Sequence, residues 1–224
     1  MQEIINRVKE LRADGTVVRV LGWRIGDLPY NPEPSYFETA EDLEANFVYN
    51  GFCGANLSKY MIEGSKLEGK TLVFLKPCDT YSFNQLIKEN RVDREKAYII
   101  GIGCKGKLDV EKIKAQGVKG ILNIRGAEYD GPADTLTAET LYGEKAVPYK
   151  DAMLERCHVC KGKDHMVYDE LLGESTDTKD ADRFAEVEKI EAMSPEEKFA
   201  YFQSELSKCI RCNACRNVCP ACSC

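Results

Sequence analysis

Three short apolar runs alternate with two amphipathic segments between residues 70 and 125, and this alternation constrains the fold more than any other feature. The runs are KTLVFL, AYIIGI and GILNI, and the segments between them are TYSFNQLIKENRV and DVEKIKAQG. Such runs predict strands that are buried on both faces, and the segments between them predict helices. Strands that alternate with helices pair in parallel. We therefore predict an α/β fold with a parallel sheet and helices on both of its faces.

The rest of the chain carries weaker signals. TVVRVLGW (16–23) predicts a strand that precedes the three runs, and residues 24–38, with three prolines, predict a long irregular loop. After about residue 125 the sequence is polar and rich in turn residues. We predict three parts: an α/β redox domain over residues 1–170, a polar linker over 171–182, and a segment over 183–224 that holds helices and a ferredoxin-like cysteine cluster.

Two of the predicted strands end in motifs that contain cysteine. KPCD (76–79) follows one strand and opens a helix, whereas GIGCKG (101–106) ends the next. Ligands of such sheets bind at the carboxyl ends of the strands, and a helix N-terminus favours an anion. Glycines there would let the backbone approach a cofactor closely. The candidate cofactor-binding residues are Cys78, Asp79, Gly101, Gly103, Cys104 and Gly106.

Each of these residues also has a structural interpretation. Asp79 is a suitable helix N-cap, and Cys78 and Cys104 are suitable small apolar residues for a core. Cys53, between glycines in NGFCGAN, is either a reactive or ligating thiol or a buried one. A nicotinamide site at GIGCKG is not favoured, because no acidic residue stands clearly at the end of the next strand.

The composition decides how the cysteines are interpreted. The chain has 224 residues and a formal net charge of −6, which argues against a nucleic-acid partner, since such binding needs a basic face. No apolar run reaches the roughly 20 residues of a membrane helix. MQEIINRVKELRADG predicts an amphipathic helix rather than a signal peptide. We therefore expect a cytoplasmic protein, in which its eleven cysteines serve metal or redox chemistry.

Six of the cysteines lie in the closing stretch SKCIRCNACRNVCPACSC. The first four follow the C-x2-C-x2-C-x3-C-P spacing of bacterial ferredoxins. Gaps of two residues let the chain wrap one corner of a 4Fe–4S cube, so that successive thiolates bind different irons. Zinc is the alternative, but it usually takes two CxxC pairs that are a dozen or more residues apart. The predicted metal ligands in this stretch are Cys209, Cys212, Cys215, Cys219, Cys222 and Cys224.

A further CxxC pair, formed by Cys157 and Cys160, points to a second cluster. In ferredoxins with two clusters, the fourth cysteine of the motif binds the other cluster. One predicted cluster therefore uses Cys209, Cys212, Cys215 and either Cys222 or Cys224. The other uses Cys157, Cys160, Cys219 and one further cysteine. The alternative is a single cluster, with the CxxC as half of a structural zinc site that His158 or His165 completes.

Three stretches, in this order, resemble the β-subunit family of coenzyme F(420)-reducing hydrogenase and of related formate dehydrogenases. They are KTLVFLKPCDTYSFNQLIKENRVDREKAYIIGIGCKGKLD, RCHVCKGKD and SPEEKFAYFQSELSKCIRCNACRNVCPACSC. The order of these motifs is more specific than any one of them. In many members the ferredoxin segment precedes the α/β domain. Here it follows, which resembles bacterial relatives found beside dehydrogenase or electron-bifurcating modules.

The resemblance implies an iron–sulfur flavoprotein that exchanges electrons with a partner subunit through one or two 4Fe–4S clusters. It implies FAD or FMN as the cofactor that meets a soluble hydride carrier. It matches Cys209, Cys212, Cys215 and Cys219 to the ferredoxin motif of the family, Cys157 and Cys160 to its central CxxC, and Cys78 and Cys104 to its strand-end positions.

Three functions are compatible with these observations. The first is an electron-transfer subunit of a cytoplasmic oxidoreductase complex, of the hydrogenase, formate dehydrogenase or electron-bifurcating type, with the other subunits as partners. The second is a self-contained flavin-dependent reductase of a soluble hydride carrier. The third is a zinc-stabilised interaction protein without enzymatic activity. A bound flavin that NADH or a deazaflavin reduces directly favours the second function, and stoichiometric zinc in a colourless protein favours the third.

Overall fold

The computed structural model describes residues 1–128, 134–161, 164–175 and 182–222. Its strands are β1 (Arg19–Arg24), β2 (Glu33–Phe37), β3 (Thr71–Leu75), β4 (Ala97–Ile102), β5 (Ile121–Arg125), β6 (Thr135–Thr140), β7 (Gly143–Pro148) and β8 (Glu170–Leu172). Its helices are α1 (Gln2–Ala13), α2 (Ala40–Asn46), α3 (Met61–Gly64), α4 (Pro77–Lys88), α5 (Val110–Ala115), α6 (Glu155–His158), α7 (Ala185–Glu191), α8 (Pro195–Ser207) and α9 (Ala214–Val218).

The main sheet has five strands in the order β2-β1-β3-β4-β8. β1, β3, β4 and β8 run parallel, and β2 pairs with β1 in the antiparallel direction. All five residues of β3 are buried, so both faces of the sheet are covered at its centre. This mostly parallel sheet with helices confirms the predicted α/β class.

A smaller sheet corrects one prediction. The sequence predicted that Ile121–Arg125 continues the parallel sheet, but β5 is the edge of a separate antiparallel sheet in the order β5-β6-β7. Of the five residues of β5 only Ile124 is fully buried, so the strand covers a core on one face only. A strand of this kind suits an antiparallel sheet with one exposed face. Its partners β6 and β7 lie in the polar region after residue 125, where no strand was predicted.

Two further strands were missed. The predicted loop over residues 24–38 contains β2, in which Pro34 pairs opposite Trp23 at the edge of the main sheet. Edge strands tolerate proline because they need not donate every ladder hydrogen bond. β8 lies where the predicted linker begins, since its Leu171 and Leu172 pair with residues of β4. Residues 176–181 of that linker lie outside the described residues.

Two hydrophobic cores correspond to the two sheets. The larger one combines residues of β1, β3 and β4 with the apolar face of α1, including Ile4, Val8 and Leu11. The amphipathic N-terminal helix predicted from the sequence is thereby confirmed. The smaller core lies between α5 and the antiparallel sheet, and it includes Ile113 and Leu136.

The C-terminal helices lie outside both cores. The predicted capping box at the start of α8 is confirmed, because Ser194 and Glu197 each bond to the backbone of the other. No residue of α7, α8 or α9 is buried. The helices of this segment are therefore present, whereas its role as a ferredoxin-like cluster segment stays a prediction. In the described ranges, every helix is too short or too polar to cross a membrane.

Candidate redox site

The site lies at the carboxyl edge of the main sheet. β3 and β4 are adjacent and parallel, and their ends are in register, with Leu75 opposite Gly101. Cys78 follows β3 as the second residue of α4, and Cys104 follows β4 in a loop. Adjacent parallel strands end on the same edge, so the two strand-end cysteines predicted from the sequence are brought together.

The CxxC pair reaches the same edge from a distant part of the chain. The Leu154 N–H donates to the Lys107 carbonyl oxygen at 2.8 Å, which places α6 beside the loop that follows β4. The Lys107 N–H in turn donates to Cys157 Sγ at 3.3 Å. These two bonds fix the CxxC pair against the loop that carries Cys104.

A cavity of about 900 Å³ is lined by four cysteines, Cys78, Cys104, Cys157 and Cys160. The Cys78 thiol interacts electrostatically with those of Cys104 and Cys160, and the Cys157 thiol does the same. The sequence analysis assigned the CxxC pair to a cluster with Cys219 and the strand-end cysteines to a separate cofactor site. The structure gathers both pairs around one cavity.

The four thiols surround this space rather than converge on one point. Among the described residues, no three side chains of His, Cys, Asp or Glu form a group that could hold a single metal ion. A mononuclear zinc site needs four donors at about 2.0–2.3 Å from one ion. In an iron–sulfur cube each cysteine binds a different iron, so four thiols need not meet at one point to hold a cluster.

The pKa values of two of these thiols are raised. Cys78 is accessible to solvent within the cavity, yet protein surrounds most of its side chain, and this partial burial, with the nearby Asp79 carboxylate, raises its pKa to about 12. Burial also raises the pKa of Cys157. Without a metal these thiols are protonated at neutral pH, so metal binding releases their protons.

The glycines of GIGCKG are required by packing within the chain. A Cβ atom on Gly103 would lie 2.4 Å from the Glu174 carbonyl oxygen, and one on Gly101 would lie 2.6 Å from Leu171 Cδ2. Gly106 adopts a φ of +94°, which favours glycine, and it lines the cavity. Gly101 and Gly103 are thus explained by close contacts with the segment around β8.

Asp79 is not the N-cap of α4, contrary to the structural alternative raised from the sequence. Lys76 holds the N-cap position, and Asp79 lies in the first turn. The Asp79 carboxylate forms an ion pair with Lys76 Nζ at 2.6 Å, and the exposed fractions of the two side chains are only 4% and 3%. Lys76 also donates to the Ala55 carbonyl oxygen at 2.7 Å. Asp79 therefore balances a buried lysine at the wall of the cavity.

A second buried lysine, Lys107, was missed by the sequence analysis. It is 4% exposed, lines the cavity, and donates from Nζ to the Asn50 carbonyl oxygen at 2.9 Å. Its Nζ also lies 3.9 Å from the centre of the Tyr49 ring. Burial lowers the pKa of Lys107. No local sequence pattern marks this residue, since lysines are common in loops and are rarely buried.

Two tyrosines hold the loop that carries Cys104 and Lys107. Tyr49 Oη donates to the Gly103 carbonyl oxygen at 2.8 Å, and Tyr149 Oη donates to that of Gly106 at 3.2 Å. Both tyrosines are more than nine-tenths buried. Burial also raises the pKa of Tyr149. The loop is therefore held on both sides by tyrosine hydroxyls.

The two histidines have different surroundings. His158 lines the cavity beside the CxxC pair. His165 Nε2 lies 3.1 Å from the Leu75 carbonyl oxygen and 3.3 Å from that of Ile102, so it bridges the ends of β3 and β4. Since both partners are acceptors, Nε2 carries the proton. Burial lowers the pKa of His165, which favours the neutral ring.

Cys53 belongs to the core. It is fully buried and donates weakly to the Val48 carbonyl oxygen at 3.6 Å, and burial raises its pKa. Of the two interpretations of NGFCGAN, the structure supports the buried thiol.

The C-terminal cysteines lie on the turn between α8 and α9 (Cys209 and Cys212), in α9 (Cys215) and after α9 (Cys219 and Cys222). Cys209, Cys212 and Cys215 are exposed. Arg211 and Asn213, on either side of Cys212, have φ values of 58° and 60°. Residues other than glycine seldom adopt this left-handed conformation, which here turns the chain sharply around Cys212.

The end of the described chain lies against the main body. Val218 lines the same cavity as the four body cysteines. Backbone donation from Ala221 and contact with Cys222 lower the pKa of Cys219, which suits a thiolate ligand. Cys222 is partly buried, and Cys224 lies outside the described residues.

Comparison with known proteins supports the fold. The fold and the site together define a mixed α/β protein with a cysteine-lined cavity at the carboxyl edge of its parallel sheet. The chain is similar to a chain of the F420-reducing [NiFe] hydrogenase complex from Methanosarcina barkeri, with a TM-score of 0.52 and 15% identity, over 88% of this chain and 81% of that one. The sequence matches no protein-family model and no curated protein.

Proposed function

We propose that this chain is an iron–sulfur electron-transfer subunit of a multi-subunit oxidoreductase. The observation that carries the proposal is the cavity lined by Cys78, Cys104, Cys157 and Cys160, which come from three separate segments of the chain. Four thiols around a cavity at the carboxyl edge of the main sheet match the donor set of a 4Fe–4S cluster.

The protein around the cavity suits such a cluster. Each cysteine is held by an element with its own hydrogen bonds, as in the contact of the Lys107 N–H with Cys157 Sγ. Backbone N–H donation to a ligating sulfur and burial of the site both adjust the reduction potential of a cluster. When bound, the cluster would accept and donate one electron at a time, and the chain would hold it and limit the access of water to it.

We propose a second cluster in the C-terminal segment. Cys209, Cys212 and Cys215 follow the ferredoxin spacing, and the left-handed residues Arg211 and Asn213 give the turn that this spacing needs. The fourth ligand would be Cys219, Cys222 or Cys224, since the four body thiols suffice for the first cluster. Val218 at the cavity would bring the two centres close together. The redox domain would thus extend to the end of β8 at Leu172, the linker would follow it, and residues 183–224 would form the cluster segment.

A flavin-dependent reductase is the second candidate. Exposed cations line the rim of the cavity, among them Lys150 and Arg156. They would suit the phosphate of FAD or FMN, and the cavity volume lies within the range of small-molecule sites. In this case the flavin would be bound by this chain, and it would pass electrons between the cluster and a soluble hydride carrier.

The proposed partners are other subunits of a redox complex. The support is the similarity to a chain of the hydrogenase complex together with the exposed C-terminal helices, whose Phe199, Phe202 and Leu206 face solvent. We propose a cytoplasmic location. A chain whose many cysteines would hold clusters, and not form disulfides, suits a reducing compartment.

The test is metal analysis of the full chain after anaerobic purification. Iron, sulfide, zinc and flavin are quantified in one sample, and we expect about eight irons per chain, four for each cluster. A colourless protein with stoichiometric zinc, and without a paramagnetic signal after dithionite reduction, would contradict the proposal. Bound flavin that NADH reduces directly would favour the second candidate.

Two variants separate the two sites. Cys104→Ser should remove about four irons and one of two paramagnetic signals, and Cys212→Ser should remove the other four. Cys53→Ser is the matched control, because this thiol is buried in the core outside the cavity lining. Equal iron in Cys104→Ser and in the control would show that the body cavity holds no cluster.

A further inference from the structure

The Lys107 ammonium is buried without a carboxylate partner. Among the described residues it has no ion pair, and its Nζ contacts the Asn50 carbonyl oxygen at 2.9 Å and lies 3.9 Å from the centre of the Tyr49 ring. An unpaired charge inside a protein carries a desolvation penalty, because water no longer solvates it. The fold accepts this penalty at a residue that is only 4% exposed.

The contrast with Lys76 shows what is missing. Both lysines line the cavity and both are buried. Lys76 has the Asp79 carboxylate at 2.6 Å, so its charge is balanced within the protein. Both lysines interact electrostatically with Cys104 and Asp79, but among the described residues Lys107 has no ion pair of its own, and its backbone N–H contacts Cys157 Sγ. If the cavity thiols hold a cluster, its negative charge would be a further group that can balance Lys107.

We propose that Lys107 is the charge-compensating residue of the body cluster, and that its ammonium raises the reduction potential of that cluster. This inference rests on the proposed function. A 4Fe–4S cluster with four thiolate ligands is an anion, and one electron taken from a chemical reductant makes it more negative by one charge. A fixed positive charge in a low-dielectric wall stabilises the reduced form more than the oxidised form.

Lys105 provides a matched control two residues away. It lies on the same loop, carries the same charge and lines the same cavity, but it is exposed. Solvent and salt screen an exposed charge, whereas they screen a buried one much less. A comparison of Lys107→Met with Lys105→Met thus separates the effect of a buried charge on the reduction potential from the effect of the exposed positive charges at the rim.

The experiment is an anaerobic redox titration of the full-length chain, followed by electron paramagnetic resonance. The body signal is the one that is lost in Cys104→Ser. In Lys107→Met we expect the ratio of reduced to oxidised cluster at a fixed solution potential to fall about tenfold, which is 59 mV for a one-electron couple. In Lys105→Met we expect little change. Equal shifts in the two variants, or no shift in Lys107→Met, would overturn the inference.

Lys107→Arg covers the case in which Lys107→Met fails to retain iron. If the arginine variant, which keeps the charge, retains iron and the wild-type potential, charge compensation is supported. If neither variant retains iron although both fold, Lys107 acts through its contacts with Asn50 and Tyr49, and the inference is wrong. Absence of a body cluster from the wild-type protein itself would instead refute the proposed function, and the inference would fall with it.

Discussion

Lys59 Nζ donates a hydrogen bond to the Cys219 carbonyl oxygen at 2.9 Å, across 160 positions of the sequence. The same ammonium donates to the carbonyl oxygens of Arg216, at 3.0 Å, and of Cys222, at 3.4 Å. These three acceptors surround the C-terminal end of α9, where backbone carbonyls lack partners within the helix. One side chain of the body therefore holds the end of the C-terminal segment beside the cavity.

We expect Lys59→Met to release this segment from the body. Loss of the hydrogen bonds from the Lys59 ammonium should lower the free energy of local opening of the C-terminal segment by about 1–3 kcal/mol. Limited proteolysis should then cut the chain beyond α8 sooner, while the unfolding midpoint of the body stays unchanged. Lys66→Met is the control, because Lys66 pairs only with the exposed Glu63. Equal cleavage rates in both variants would show that Lys59 does not hold the segment.

Gly103→Ala should destabilise the body. The new Cβ atom would lie 2.4 Å from the Glu174 carbonyl oxygen, so the backbone of β4 or of the segment after β8 must move. Overpacking of this kind costs about 1–3 kcal/mol. Urea unfolding of the metal-free protein measures the effect. In Gly54→Ala, the nearest atom would be Arg156 Nη2 at an ordinary 3.5 Å, so this control should unfold like the wild type.

Asp79→Asn should destabilise the metal-free protein because it leaves Lys76 buried without its counter-ion. Breaking one side of a buried ion pair costs about 3–5 kcal/mol. The double variant Lys76→Met with Asp79→Leu should recover much of this loss, since it removes both charges. Glu63→Gln, in an exposed pair with Lys66, should cost at most about 1 kcal/mol. A single Asp79→Asn variant as stable as Glu63→Gln would mean that the carboxylate does not balance Lys76.

The stability of the body should fall as the pH falls below about 6.5 because of His165. Burial lowers the pKa of His165 from its ordinary value of 6.5, so below that pH the unfolded chain binds a proton that the folded chain does not. The loss should end at the lowered pKa of the folded state. Thermal unfolding of the metal-free protein between pH 5 and 8, compared with His165→Gln, measures it. If His165→Gln loses stability with falling pH as the wild type does, a group other than His165 causes the loss.

The local elements were predictable because their signals lie within a few residues of each other. The apolar runs that became β3 and β4, and the capping box of α8, needed no tertiary information. By contrast, β5 has a strand pattern but lies in another sheet. Which sheet a strand joins depends on which of its faces meets a core, and the sequence of β5 does not show that β6 and β7 will cover it.

The sequence by itself determined that Cys78 and Cys104 follow two buried strands that are consecutive in the chain, and that the last cysteines have ferredoxin spacing. Only the tertiary structure decided that Cys157 and Cys160 share a cavity with the first two. Contacts between residues some 50 to 80 positions apart, such as that of Lys107 with Cys157, are set by how the two sheets pack. The same packing buries Lys107 without a carboxylate, because burial is a property of the assembled chain and not of the loop that carries the residue.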